Sequence, residues 1–189
     1  MCSDLDPYRK GKLASILVAI FFTPSLQLIW LYRLSHYFRE NHNPILSIFF
    51  FYLQQIMFSS SVNPKAVLGK QVNFPHPFCV VIGEAVKIGD HVKIFQQVTI
   101  GSHGRTGLDK QYPKIMDQVI LYAGAQVIGD LTVGKHAVVG ANAVVLEDVP
   151  DYGVAVGIPA RIAKIMTDPD CVDAAIASES DQVNQTTAT

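Results

Sequence analysis

The chain has 189 residues and a formal net charge of -1. That length suits one domain with appendages, and the balanced charge excludes a basic footprint or a polyacidic tail, so no nucleic-acid partner is expected. Its three cysteines (Cys2, Cys79 and Cys171) lie far apart with no CxxC pair, which excludes a disulfide framework, argues against cysteine-bound metal and suits a reducing cytoplasm.

The first residues do not read as a signal peptide. Asp4 and Asp6 precede the apolar run, and no small-residue cleavage site follows it. Residues 13–32 carry no charge and lie between Lys12 and Arg33, which meets the length of a membrane span. Thr23-Pro24-Ser25 divides that stretch, and a proline just after Thr or Ser reads as a helix start. The sequence therefore predicts helices over 10–22 and 25–41, with a third apolar helix over 44–58. Such helices pack on one another or on a partner subunit, with peripheral contact to the inner membrane as a further reading. Residues 1–60 are taken as an N-terminal helical segment, and the expected location is cytoplasmic.

From residue 61 the chain repeats every six residues. Val62, Leu68 and Phe74 begin the series, and Ile82, Ile88, Ile94 and Ile100 continue it after a slip of two residues around His76. Ile115, Leu121, Val127, Val133, Val139 and Val145 complete it. Small residues often follow, as at Gly83, Gly89, Gly101, Gly134 and Gly140, and Ala137 and Ala143 stand four positions on. A six-residue period fits neither a helix nor plain alternation. It fits a short strand and a turn wound around a prism, three repeats to a coil, with one aliphatic per repeat pointing inward and glycines at the turns. The Val and Ile content agrees with strands. The fold class is thus mainly β, a parallel β-helix over 61–165 behind the helical segment, and the period leaves its handedness open.

Residues 102–114 break the lattice, which resumes at Ile115 unchanged. The inserted segment is polar and must leave the prism as a loop, where functional residues concentrate. Residues 166–189, rich in Ser, Thr, Asp and Gln, are expected to be disordered.

Four stretches carry a family resemblance: 76–84 (HPFCVVIGE), 101–107 (GSHGRTG), Pro113-Lys114-Ile115, and Val149-Pro150 with 157–161 (GIPAR). Together with Asp6-Pro7 and Trp30-Leu31-Tyr32-Arg33 they resemble serine acetyltransferases and the saccharide O-acetyltransferases related to them. The resemblance covers roughly residues 5–165. It implies a left-handed β-helix, a homotrimer with active sites between subunits, and acetyl-CoA as donor cosubstrate without a metal. The longer relatives have further N-terminal helices, so a single trimer is expected. Thr189 stands where many of them have the isoleucine that docks onto cysteine synthase, so no cysteine synthase complex is expected.

Residue by residue, His76 falls on the catalytic histidine, and a neutral imidazole suits proton removal from a hydroxyl near neutral pH. The plainer reading is a histidine closing the turn before Pro77. Glu84 matches a glutamate near that base, or is a solvated turn residue. Ser102, Ala123 and Ala141 match backbone contacts to CoA, with Arg161 placed for its phosphates. Asp6, His103, Gln111 and Tyr112 fall on or beside the acceptor pocket. Gln111 and Tyr112 stand where an arginine and a second histidine are expected, Pro75 and Ser61 where aspartates are expected.

An amino-acid acceptor needs complementary charges. Gln and Tyr serve neutral hydroxyls, and Tyr can stack on a sugar face. The expectation is therefore an acetyl-CoA-dependent O-acetyltransferase acting on a saccharide (a capsular or exopolysaccharide unit or its precursor), with serine as the alternative acceptor. Two other classes are weighed. A metal enzyme resembling γ-class carbonic anhydrases needs three converging histidines, and the six here (His36, His42, His76, His91, His103, His136) show no such spacing. A non-catalytic trimeric scaffold has no need of His76 or of the Gly-rich insertion.

Overall fold

The computed structural model describes residues 23–104 and 112–167. The helix expected over 10–22 and the polar tail from 168 lie outside them.

Helix α1 runs Pro24–Glu40 and α2 runs Pro44–Phe58. Thr23 is extended and Pro24 fills the first helical turn, where its missing N–H costs nothing. Asn43 caps α2 by accepting the N–H of Leu46 at 3.2 Å, and Ser59 ends it in the left-handed conformation. α1 buries Leu26, Leu28, Ile29, Tyr32 and Ser35, an ordinary amphipathic stripe. α2 is inverted. It turns Ser47, Gln54 and Phe58 inward and leaves Ile45, Ile48, Phe49, Tyr52, Ile56 and Met57 exposed, Ile45 by 79% and Ile56 by 77%. The polar residues face inward because they stitch elements together. Ser35 Oγ donates to the carbonyl of Ser47 at 2.9 Å, and Gln54 Oε1 accepts the N–H of Val62 at 3.2 Å. No described helix is long and apolar enough to cross a membrane.

The helices close one end of a prism. Its strands are β1 (Ser61–Val62), β2 (Val67–Leu68), β3 (Val81–Ile82), β4 (Lys87–Ile88), β5 (Lys93–Ile94), β6 (Thr99–Gly101) and β7 (Lys114–Ile115). They continue as β8 (Ile120–Leu121), β9 (Gln126–Ile128), β10 (Thr132–Val133), β11 (Val138–Val139), β12 (Val144–Val145), β13 (Gly153–Val156) and β14 (Arg161–Ile165). Three sheets form the faces, in strand orders β1-β3-β6-β9-β12, β2-β4-β7-β10 and β5-β8-β11-β13-β14. All pairs are parallel except β13 with β14, so each strand lies on the one a full coil away. The winding is that of the left-handed β-helix.

Every aliphatic of the six-residue lattice is buried, from Val62 to Val145. The expectation of one inward residue per repeat is corrected, because the structure buries two. Ala66, Val86, Val92, Val98, Val119, Ala125, Leu131, Ala137 and Ala143 stand four positions after a lattice residue and also face inward. These side chains plug the corners while the lattice residues fill the faces, so the column has no hollow axis.

The glycines also differ from expectation. The left-handed corner positions are mostly not glycine. Cys79, Gln97 and Asn142 occupy them where the third face turns into the first, and Gln71, His91, Gln118, His136 and Tyr152 where the second turns into the third. Gly69, Gly89 and Gly134 instead make room. A Cβ on any of them would strike the aspartate of the next coil, Asp90, Asp117 or Asp151 respectively. Those aspartates tie the coils together. Asp90 accepts the N–H of Lys70 at 2.6 Å, Asp117 that of Asp90 at 3.0 Å and Asp151 that of Lys135 at 2.7 Å. The Asp90 N–H, with help from the Lys135 ammonium, holds the Asp117 carboxyl below its usual range.

Candidate active site

His76 sits where the chain gains two residues, at the corner leading from the third face into the first. Phe74 ends the first coil fully buried, and Val80 restarts the inward pattern. Between them the backbone is pinned from several sides. Pro75 and Pro77 fix φ on either flank of His76. The Phe78 N–H donates to the His76 carbonyl at 2.9 Å, Ser60 Oγ donates to the Pro77 carbonyl at 2.8 Å, and the Cys79 N–H donates to Phe58 at 3.1 Å. The imidazole is exposed. Its ring lies 6.2 Å from that of Phe95, which stacks on Tyr122 at 5.0 Å with planes 19° apart.

Ala123 and Ala141 occupy the same corner one and two coils beyond Phe95. The Ala123 carbonyl accepts the N–H of Asn142 at 2.9 Å, which joins the two coils at this corner. Neither alanine projects a side chain long enough to keep a ligand from the backbone, as the CoA assignment requires. Arg161 opens β14, exposed, and donates to the carbonyl of Ala160 at 3.0 Å.

The remaining predicted residues gather at another corner, where the first face turns into the second. Ser102 and His103 lead into the insertion and Tyr112 leads out. The two stems splay in opposite directions along the prism. Tyr112 packs one coil back, over Gly83, where an added Cβ would lie 2.7 Å from its ring. His103 packs one coil forward, over Gly129, whose φ of +116° a side chain could scarcely adopt. Ser102 Oγ accepts the N–H of Gly104 at 3.4 Å. Glu84 stands at this corner too, and its Oε2 lies 3.4 Å from Lys65 Nζ. Within one chain Glu84 is therefore not beside His76. Strand β3 of the first sheet lies between them along the chain. Asp6 and Gln111 lie outside the described residues.

Phe95 and Tyr122 were missed by sequence reasoning. The signal was there, since each follows a lattice aliphatic (Ile94, Leu121) on the same face of successive coils. Only the slip at His76 brings a third ring into line with them, and the register of that slip is not legible from the period.

No protein-family model matches the chain. Among curated proteins it is 36% identical to a serine acetyltransferase of Bacillus pumilus over 84% of the chain and 71% of that protein. It is likewise 36% identical to one of Mycobacterium tuberculosis over 82% of the chain and 67% of the relative. Among solved structures, a serine acetyltransferase in complex with cysteine superposes with a TM-score of 0.76 at 32% identity, covering 87% of this chain and 65% of that one. The soybean serine acetyltransferase complexed with serine gives 0.76 at 33%, covering 85% and 67%. A Brucella abortus serine acetyltransferase with coenzyme A gives 0.75 at 28%, covering 87% and 66%. The chain thus spans about two thirds of the length of these solved relatives. These matches overturn the leaning toward saccharide-modifying relatives, because proteins at about this identity across most of the chain are named serine acetyltransferase. The pocket charges absent at Pro75, Gln111 and Tyr112 do not outweigh these matches, since two of those positions border or lie in an insertion whose length shifts the alignment. The chain belongs to the serine acetyltransferase family, and it is an acyltransferase that uses acetyl-CoA as cosubstrate.

Proposed function

We propose that the chain moves the acetyl group of acetyl-CoA to the hydroxyl of L-serine, and that it does so as a homotrimer with the site between copies. The acceptor reading rests on the named relatives, above all the soybean enzyme solved with serine. The assembly reading rests on the geometry of one prism. His76, Ala123 and Ala141 line one corner, whereas Ser102, His103, Tyr112 and Glu84 line another across the first sheet. The two halves meet only when one copy's first corner faces another copy's second.

In this reading both substrates bind together. His76 removes the proton of the serine hydroxyl while that oxygen attacks the thioester carbonyl. The tetrahedral intermediate collapses, the C–S bond breaks, and the imidazolium returns its proton to the departing thiolate. No covalent acyl-enzyme is required. The backbone at Ser102, Ala123 and Ala141 carries the pantetheine arm, and Arg161 pairs with CoA phosphate. Asp6, His103, Gln111 and Tyr112 border the acceptor, where Asp6 supplies a carboxylate for the serine ammonium. The test is free-thiol release from acetyl-CoA with L-serine against a panel of oligosaccharides. Serine-dependent release supports the reading, and release with a saccharide alone overturns it.

A further inference from the structure

The backbone at His76 is fixed by two prolines and by hydrogen bonds on both sides, but none of those restraints sets the direction of the imidazole. An exposed histidine side chain has several staggered rotamers of similar energy, and a base must be held within hydrogen-bond reach of the proton it takes. The ring that meets the imidazole is Phe95, 6.2 Å between centroids with planes at 53°, a separation within the range of favourable aromatic pairs. Phe95 is itself backed by Tyr122 at 5.0 Å. The column then narrows, because Gly140 takes the next coil and an added Cβ there would lie 2.9 Å from Val156. Three rings therefore climb one edge of the third face over three coils, with His76 at the top. The partly buried Phe95 and Tyr122 are anchored by the neighbouring fully buried Ile94 and Leu121.

We propose that Phe95, braced by Tyr122, is a positioning residue that sets the ring plane of His76 for proton transfer. This rests on His76 as the base of the proposed acetyl transfer. Glu84 cannot do this task within the chain, since it lies across the first sheet beside Lys65. A neutral aromatic brace also explains why the base sits at the slip. The two added residues lift the imidazole out of the lattice to the height where it tops the ladder.

The test compares Phe95→Leu, which keeps the apolar bulk but removes the ring, with Phe95→Tyr, which keeps the ring. Phe95→Leu should lower kcat by about 10- to 100-fold, the upper end being the order expected of a 1 Å misplacement, with KM for acetyl-CoA and serine changed less than about two-fold. Phe95→Tyr should restore kcat. A second readout needs no turnover. The ring protons of His76, identified in the NMR spectrum by their loss in His76→Asn, should move in Phe95→Leu and stay in place in Phe95→Tyr. If Phe95→Leu does not fold, Tyr122→Leu should show the same pattern at smaller size. Wild-type kcat and resonances in Phe95→Leu overturn the proposal, as does Phe95→Tyr failing as badly as Phe95→Leu. A rise in KM for acetyl-CoA at unchanged kcat also overturns it, by making Phe95 a donor-binding surface. If wild-type protein releases no thiol with serine, the reaction reading fails, while the resonances still report on the brace.

Discussion

Replacing His76 by alanine removes the proton acceptor and leaves the corner backbone, which is held by Pro75, Pro77 and their hydrogen bonds. We expect kcat to fall by about 10²–10⁴-fold, the usual worth of a positioned general base, with CoA binding measured by calorimetry unchanged. At this scale the sequence was uneven. His76 was singled out by family resemblance, supported by its place at the one slip of an apolar lattice. Glu84 was tied to it by family resemblance, with a solvated turn residue as the alternative, and eight residues of a β-helix carry the chain past a whole face to where Glu84 meets Lys65. His103 and Tyr112 were legible as loop residues. Their packing over Gly129 and Gly83 was not, because contacts between coils join residues that share no local pattern.

Among the elements, the joint between α1 and the prism turns on Tyr32. Its hydroxyl donates to the Ala66 carbonyl at 2.7 Å and accepts the N–H of Leu68 at 3.3 Å. Burial pushes the phenol up to about 12, against the opposing pull of Arg33 and the Leu68 N–H. Folding thus favours the neutral phenol. That stabilisation is complete below the unfolded value near 10 and disappears as pH rises from 10 to 12, a loss on the order of 2–3 kcal/mol. Urea denaturation at pH 8 and pH 12 should show it. Tyr32→Phe should be less stable at pH 8 by about 1–3 kcal/mol, with a smaller further loss at pH 12. α2 makes a second prediction. Ile45→Glu and Ile56→Lys place charges on its outer face, each suited to its end of the helix dipole. Stability should change by no more than about 0.5 kcal/mol, and the concentration at which light scattering detects association should rise. The helices over 25–41 and 44–58 were legible because a Pro follows Thr or Asn at each start. The inversion of α2 was not, since an apolar run of 15 residues reads as burial until the partners of Ser47 and Gln54 are known.

At the scale of the whole molecule, the period of six revealed the prism, and the residues that fill it were correct as far as they went. The second inward position was read from Ala137 and Ala143 as a small residue beside the lattice, because alanines stand there among the valines and small residues beside large ones look like turns. How copies assemble lay beyond any one chain's pattern, and the proposed split of the site makes it measurable. His76→Ala spoils the first corner and Tyr112→Ala the second, so each homotrimer should be inactive. Unfolding and refolding the two together at equal concentration should restore about a quarter of wild-type activity, because one interface in four then joins two intact corners. No recovery would place the whole site within one copy.

The left-handed corners also bear on how far the protein could be hardened against heat. Gln71 and Gln118 hold positive φ values, 53° and 59°, on the corner away from His76. A side chain there costs about 1–2 kcal/mol that glycine does not bear, offset in part by glycine's greater loss of freedom on folding, about 0.5–1 kcal/mol. Gln118→Gly should gain a few tenths of a kcal/mol or more in thermal unfolding, and Gln71→Gly less, because Gln71 makes a further interaction of its own. Their effects should add, because a full coil and its own hydrogen bonds lie between each pair of corners. Corners whose side chains stack, such as His136 on Tyr152 at 4.7 Å, would lose that contact, so thermostability becomes a matter of which corners are changed.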